Sequence, residues 1–442
     1  MRGKASLLLR VFSLLFLCLI LASGYREQAF VRLVSLPGEL FLAMEALERA
    51  RELNPASPLP FILEGEFYLR RSLYDYAQKA FSIALEMGGG VRALTGLGDA
   101  LLARGKAEEA IVRWHQALEI NPYDPALRRR IGTALLKLGK LQAAAFHLEE
   151  ASSPCLLALA IAPDDPSRAA RLSKNCPGLE WFTSILISMP DEFFRLKELG
   201  RFYIALGEYG AARFALEKAL KIWPETPEGW ALLGYSLSRL GLDPSQAFAK
   251  SLALDYSFPP GHYFLGLHLL SRGDLEGARR ELLYALSLEP SNPYFLTALA
   301  EVEIRRGNYQ EAEEKLKRAV ELAPGEPGFR LSLAELQIAT LMRTDEEALE
   351  NVRKVLELSP DAPRGWELVG IAHYHASRMD LAEFCLRRAL ELSPDSPRAL
   401  YYLGLVYSLT GEKEKGQDLF RRLQAVAPSS IWAQKAYWAE RR

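Results

Sequence analysis

The stretch "WHQALEINPYDP" (residues 114–125) can be interpreted either as part of an active site or as one copy of a structural repeat. Trp114, His115 and Glu119 would suit general acid–base chemistry if their side chains met in a pocket. However, the pattern recurs with other residues in those positions, as in "LEKALKIWP" (216–224) and "LRRALELSP" (386–394). What persists is an apolar residue, usually an alanine three residues later, and a proline five residues after that. A catalytic group would not be replaced in this way, so we interpret Trp114 as a core residue and His115 as its solvated or partly packed neighbour.

The recurring prolines fix a period along the chain. Pro290 and Pro324 are 34 residues apart, and so are Pro360 and Pro394. Upstream of each proline runs a second pattern, such as "LGLHLLSRGDLEGA" (265–278), in which apolar residues spaced by three and four are followed by a glycine-containing turn. This spacing is typical of amphipathic helices, and glycine marks the turn between them. The sequence therefore predicts two antiparallel helices in every period.

This pattern resembles the tetratricopeptide repeat, whose small residues let paired helices approach closely and whose proline ends the second helix. The resemblance covers residues 24–430, which divide into twelve units that start at 24, 58, 91, 125, 159, 193, 227, 259, 293, 327, 363 and 397. It implies an all-α fold: a right-handed α-solenoid of about twelve 34-residue helix-turn-helix repeats, preceded by an apolar N-terminal helix.

The repeat pattern is interrupted once and changes at the C-terminal end. Residues 24–151 and 193–430 carry the N-terminal and C-terminal repeat units, whereas residues 152–192 lose most of the pattern. Pro190 nevertheless returns in phase, 68 residues after Pro122. We therefore expect residues 152–192 to be a degenerate repeat with a proline-rich bend, which acts either as a hinge or as a change in the curvature of the superhelix. Residues 431–442 are interpreted as a helix that caps the last unit.

The N-terminal segment differs from the rest of the chain. Residues 1–23 combine the basic residues Arg2, Lys4 and Arg10 with a mostly apolar run, the layout of a signal peptide or of a single-pass membrane anchor. In both cases the positive charges favour the cytoplasmic side, so we expect the repeat array outside the cytoplasm, secreted or membrane-anchored. Cys155 and Cys176, both in the irregular segment, are then either a disulfide or two small buried thiols.

Several classes of function are disfavoured by the sequence. A formal charge of −1 offers no attraction to nucleic acid. Neither a phosphate-binding loop nor a hydrolase or metalloprotease motif is present. His373 and His375 are two residues apart and so lie on different faces of one helix, which disfavours a metal site. We expect no catalytic residues, no cofactor, no metal and no small-molecule substrate.

The resemblance implies that a groove lined by the first helix of each pair binds an extended peptide or a partner's helix. Tyrosine and arginine are suited to such contacts because they combine a large contact area with directional hydrogen bonds. The groove positions in the C-terminal half are Tyr235, Arg239, Tyr263, Leu267, Tyr294, Glu301, Arg305, Arg364, Glu367, Tyr374, His375, Arg398 and Tyr401. Alternatively, these tyrosine rings pack between neighbouring helices.

Two functions follow from these expectations. The first is a non-catalytic scaffold, exported or tethered to the membrane through residues 1–23, that binds another protein in its groove. The alternative is an accessory subunit of a larger envelope or membrane complex.

Overall fold

The structure is a computed structural model that describes residues 40–70, 73–340, 346–427 and 430–439. Within these ranges it contains twenty-five α-helices, one short 3-10 helix and no β-strand. The predicted all-α fold is therefore confirmed. The predicted signal or anchor segment 1–23, the apolar N-terminal helix and the first helix of the unit at 24 lie outside the described residues. None of the helices that the structure does describe is both long and apolar enough to cross a bilayer.

The chain divides into two compact units, residues 1–131 with 420–442, and residues 132–419. The limits of these units fall within α6 (Pro125–Lys137) and α24 (Lys413–Val426). The other helices of the first unit are α1 (Leu40–Leu53), α2 (Leu59–Arg70), α3 (Tyr74–Glu86), α4 (Gly90–Ala103), α5 (Ala107–Ile120) and α25 (Ile431–Ala439).

The second unit contains the remaining helices. In chain order they are α7 (Leu141–Glu150), α8 (Pro154–Ile161), α9 (Pro166–Leu172), α10 (Leu179–Ser188), α11 (Glu192–Ala205), α12 (Tyr209–Ile222), α13 (Pro227–Arg239), α14 (Ser245–Leu254), α15 (Pro259–Arg272), α16 (Leu275–Leu288), α17 (Pro293–Arg306), α18 (Tyr309–Leu322), α19 (Pro327–Ala339), α20 (Glu346–Leu358), α21 (Pro363–His375), α22 (Met379–Leu392) and α23 (Pro397–Leu409).

Local sequence signals explain where these helices begin and end. Apart from the units at 24 and 159, every predicted unit start lies within one residue of the start of a first helix. Many of these helices begin with proline, such as Pro293 and Pro397. Proline suits this position because the first helical N–H has no partner within the helix and the ring already fixes a helical φ. Gly273 and Gly307 end α15 and α17 with φ of 81° and 83°, a left-handed conformation that favours glycine.

Many of the repeat pairs are held together by a large side chain of the second helix that packs against a glycine of the first. In the pair α4–α5, Trp114 is fully buried, and a Cβ atom added to Gly98 would lie 2.3 Å from its Nε1. The Trp114 Nε1–H donates a hydrogen bond to the carbonyl oxygen of Thr95 at 3.2 Å. His115 and Glu119 are exposed. The prediction that Trp114 is a core residue is therefore confirmed.

Residues 152–192 form no regular repeat pair. The three short helices α8, α9 and α10 occupy this segment, and the carboxylate of Asp165 caps α9 by accepting a hydrogen bond from the backbone N–H of Arg168 at 2.8 Å. Cys155 and Cys176 form a disulfide, with their Cα atoms 5.7 Å apart. Of the two alternatives left open by the sequence, the structure therefore contains the bridge. A hinge in this segment remains a prediction.

Candidate protein-interaction surface

Consecutive first helices of the second unit contact each other through aromatic rings. Tyr235 of α13 contacts Phe264 of α15, with ring centroids 5.0 Å apart. The centroids of Tyr263 and Phe295, on α15 and α17, are also 5.0 Å apart, and Tyr294 of α17 lies 5.3 Å from Phe329 of α19. We call the surface formed by α13, α15, α17, α19, α21 and α23 the first-helix face. Ring contacts of this kind stabilise the packing of neighbouring repeats.

The predicted groove residues differ in exposure. Tyr294 is 56% exposed. Eight other residues are half-buried, and among them Tyr263, Leu267 and Tyr374 pack partly against neighbouring helices. The exposed residues are Arg239, Tyr294, Arg305 and Arg364, and the half-buried ones are Tyr235, Tyr263, Leu267, Glu301, Tyr374, His375, Arg398 and Tyr401. Burial raises the pKa of Tyr263 to about 12. The alternative interpretation, in which the rings pack between helices, therefore applies to Tyr263 and Tyr374.

A chain of ion pairs crosses three consecutive first helices. The Glu335 carboxylate on α19 pairs with Arg364 on α21 and, at 2.8 Å, with Nη1 of Arg398 on α23. The Nε of Arg398 lies 2.5 Å from the Glu367 carboxylate on α21, which also accepts a hydrogen bond from the Ser396 hydroxyl. Each carboxylate thus accepts hydrogen bonds from two donors. These interactions offset the free-energy cost of removing the charges from water.

The position of Glu367 corrects its assignment to the groove. Only 7% of this residue is exposed, because Arg398 and Ser396 cover its carboxylate. Glu367 is therefore a positioning residue for Arg398 and does not offer a contact to a partner.

The two remaining exposed arginines are also held by neighbouring repeats. The Arg239 guanidinium lies 5.2 Å from the ring centroid of Tyr209, within the range of a cation–π contact. Arg305 pairs with Glu301 at 2.9 Å and donates to the carbonyl oxygen of Leu270, on the preceding first helix, at 3.1 Å. These contacts restrict the side chains before any partner binds.

The histidines of α21 show no metal-binding geometry. The His375 ring contacts Tyr402, with centroids 5.8 Å apart, and burial lowers the pKa of His375. Within the residues that the structure describes, no group of three or more histidine, cysteine, aspartate or glutamate side chains could hold a metal ion.

Glu335, which links Arg364 and Arg398, was not among the predicted groove residues. Glu335 occupies the same register position in its repeat as Tyr235 and Glu301 do in theirs. The alignment of the repeats could therefore have identified Glu335 as a groove residue. The partner rings Phe264, Phe295 and Phe329 lie at other register positions, and no sequence signal pointed to them.

Comparison with known proteins agrees with the repeat geometry. Tetratricopeptide-repeat family models match residues 98–139, 195–236, 263–327 and 398–430. Among solved structures, the chain is similar to the APC/C heterotetramer Cut9–Hcn1, with 15% identity over 88% of this chain and 99% of that chain and a TM-score of 0.44. It is also similar to yeast Tom70, with 17% identity over 87% of this chain and 95% of that chain and a TM-score of 0.41.

A third similar structure is a thermophilic tetratricopeptide-repeat protein of Thermus thermophilus. Its identity is 22% over 41% of this chain and 98% of that chain, with a TM-score of 0.36. No curated protein sequence matches the chain significantly. The four matched segments establish that this chain contains tetratricopeptide repeats.

Proposed function

We propose that this protein is a non-catalytic scaffold that binds a protein partner through its first-helix face. The observation that carries the proposal is the set of exposed side chains, Arg239, Tyr294, Arg305 and Arg364, each held by a contact to a neighbouring element. Because these contacts exist before a partner arrives, little side-chain entropy is lost on binding. Tetratricopeptide repeats are typically interaction modules, and such a row of restrained tyrosine and arginine side chains suits that role.

Most of the charges on this face are balanced by a neighbour of opposite sign. Binding therefore depends on contact area and hydrogen bonding more than on net electrostatic attraction. Arg364 and Arg398 are balanced by Glu335 and Glu367, and Arg305 is balanced by Glu301. A partner therefore gains little from carrying a large charge of either sign. We expect an extended segment or a helix that packs against the Tyr294 ring and accepts hydrogen bonds from the exposed guanidinium groups.

We also propose that residues 1–23 tether the chain to a membrane, with the repeats on the extracytoplasmic side. Support comes from the basic residues that precede the apolar run and from the disulfide between Cys155 and Cys176. Disulfides persist mainly in oxidising compartments, which include the bacterial periplasm and the cell exterior.

The binding proposal is tested by co-purification of the full chain from its own membranes after mild cross-linking. The variant Tyr294→Ala with Arg364→Ala removes two exposed contacts of the first-helix face. The matched control is Phe384→Ala, because Phe384 on the second helix α22 is 63% exposed and lies in the same unit.

We expect one partner at fixed stoichiometry with the wild type and with the control, and its loss from the double variant at an unchanged melting temperature. A partner that survives the double change, or that is lost only with Phe384→Ala, contradicts the proposal. Tethering is tested separately by alkaline carbonate extraction and by labelling intact cells with a small membrane-impermeant amine reagent. A chain that is extracted, or repeats that are not labelled, overturns that part.

A further inference from the structure

Helix α25 leaves three of its four large apolar or aromatic side chains exposed, whereas Trp432 is half-buried. Ala433 and Ala436 are buried, whereas Ile431 is 60% exposed and Trp438 is 64% exposed. Tyr437 is also exposed. A helix that closes a repeat array normally does the opposite, with a polar outer face that keeps the end of the array soluble. The sequence predicted such a cap over residues 431–442, but in the described part of this segment only Ala433 and Ala436 are fully buried.

The outward face of α25 combines apolar, aromatic and basic side chains. Ile431, Lys435 and Trp438 are spaced by four and three residues, so they follow one stripe of the helix. The Lys435 ammonium lies 4.4 Å from the ring centroid of Trp432. Tryptophan and tyrosine with neighbouring basic residues are typical of helices that lie in the interfacial region of a bilayer.

The C-terminal segment that contains α25 is basic, whereas the chain as a whole is nearly neutral. Residues 420–442 contain five basic residues and one acidic residue, a formal charge of +4, whereas the whole chain carries −1. A segment that is both basic and aromatic is attracted to a surface of anionic lipid headgroups.

A second copy of this chain fits the face less well than a bilayer does. Aromatic side chains bury roughly 150–250 Å² each when fully covered. Three partly exposed side chains therefore offer on the order of 300 Å² per chain, and two chains about 600 Å², which is well below the roughly 1,200 Å² of a stable interface. A bilayer needs no such area, because a tethered chain is already held at high effective concentration near the lipid.

The chain between the proposed tether and the first described helix is long enough to allow a contact between α25 and a bilayer surface. Residues 24–39 separate the two, and fully extended they span at most about 58 Å. Helix α25 belongs to the same compact unit as α1 to α5.

We propose that α25 rests on the surface of an anionic phospholipid bilayer, with Trp438 and Ile431 at the level of the headgroups and Lys435 beside the lipid phosphates. This contact is separate from the tether, although it rests on the proposed tethering for its high local concentration.

The experiment uses the full chain mixed or reconstituted with vesicles of phosphatidylglycerol and phosphatidylethanolamine that contain brominated lipid, which quenches nearby tryptophan. Trp438→Phe preserves the apolar bulk and removes one emitter. Its matched control is Trp181→Phe, because Trp181 is 68% exposed and lies in the other unit. Flotation that persists after alkaline carbonate treatment reports on the tether independently, because carbonate removes chains that are held only by surface contacts.

We expect Trp438→Phe to remove most of the lipid-dependent quenching and Trp181→Phe to leave it unchanged. Replacing phosphatidylglycerol by phosphatidylcholine should weaken the quenching of Trp438 while flotation persists. A chain that floats but shows equal quenching in both variants overturns the inference and leaves the tether standing. A chain whose flotation is lost after alkaline carbonate treatment, yet which shows quenching of Trp438 by anionic vesicles, supports α25 and overturns the tether. A photoreactive residue at position 438 that cross-links to protein and not to lipid in native membranes also overturns the inference.

Discussion

The contact between Gly98 and Trp114 gives the sharpest test of how the repeats pack. In Gly98→Ala the new Cβ would lie 2.3 Å from Nε1 and 2.6 Å from Cδ1 of the indole, which is fully buried and has little room to move. Overpacking typically costs about 1–3 kcal/mol, and a contact as short as 2.3 Å to a fully buried ring belongs to the upper part of that range, about 2–3 kcal/mol. Alanine recovers about 1 kcal/mol because it is a better helix former than glycine. We therefore expect a net destabilisation of about 1–2 kcal/mol.

The chain itself contains the matched rescue. In the pair α17–α18, Ala300 and Leu316 occupy the equivalent positions and are both buried, so alanine is accepted opposite leucine. Trp114→Leu alone should cost about 2 kcal/mol because it leaves a cavity beside Gly98. The combined Gly98→Ala and Trp114→Leu variant rebuilds the Ala300–Leu316 pairing. It should therefore cost less than the sum of the single changes, by about 1 kcal/mol or more.

Hydrogen exchange of the amides in α4 and α5 is the suitable assay, because each repeat opens locally and a long array need not unfold in one step. Gly325→Ala serves as the control, since nothing lies within 4 Å of the added Cβ. If Gly98→Ala leaves exchange in α4 and α5 unchanged, or if the two single effects simply add, the proposed packing of glycine against the large second-helix side chain is refuted.

We expect His262, Glu367 and the disulfide each to stabilise the helices around them. Burial alone lowers the pKa of His262, but hydrogen bonds to Glu281 and to the Tyr256 carbonyl raise it on balance. The stability contributed by the imidazolium is thus fully present below about pH 6.5 and is lost as the pH rises through the raised folded pKa. His262→Gln should flatten this pH dependence of exchange in α15 and α16. Glu367→Gln should destabilise α21 and α23 by about 1–2 kcal/mol, measured by exchange, because Arg398 keeps only Glu335; unchanged protection contradicts the ion-pair chain. Reduction of the Cys155–Cys176 bridge should lower the protection of α8 to α10 by up to about 3 kcal/mol, and equal exchange before and after reduction contradicts a stabilising role.

The fold was predictable because the 34-residue period repeats local signals that act within a few residues. Pro293 and Pro397 start helices, Gly307 ends one, and the Gly98–Trp114 contact joins two helices separated by one turn. None of these features depends on distant parts of the chain.

The site was only partly predictable, because exposure on the first-helix face depends on side chains of the next repeat. Register alone places Glu367 and Tyr294 on the same face, yet Arg398 covers Glu367 while Tyr294 stays exposed. Register also identifies Glu335, but its role becomes visible only when the reach of Arg364 and Arg398 is known. Residues 431–442 were predicted as a capping helix, but which large side chains of α25 stay exposed is set by packing and not by composition.

Hydroxyl-radical footprinting of the isolated complex tests the proposed function most directly. Tyr294 on the first-helix face and Phe384 on the second helix α22 are similarly exposed aromatic residues of one unit, at 56% and 63%, so each serves as the internal reference for the other. We predict that the bound partner protects Tyr294 from oxidation and leaves Phe384 as reactive as in the free chain. Protection of Phe384 with an unchanged Tyr294 would contradict binding at the first-helix face.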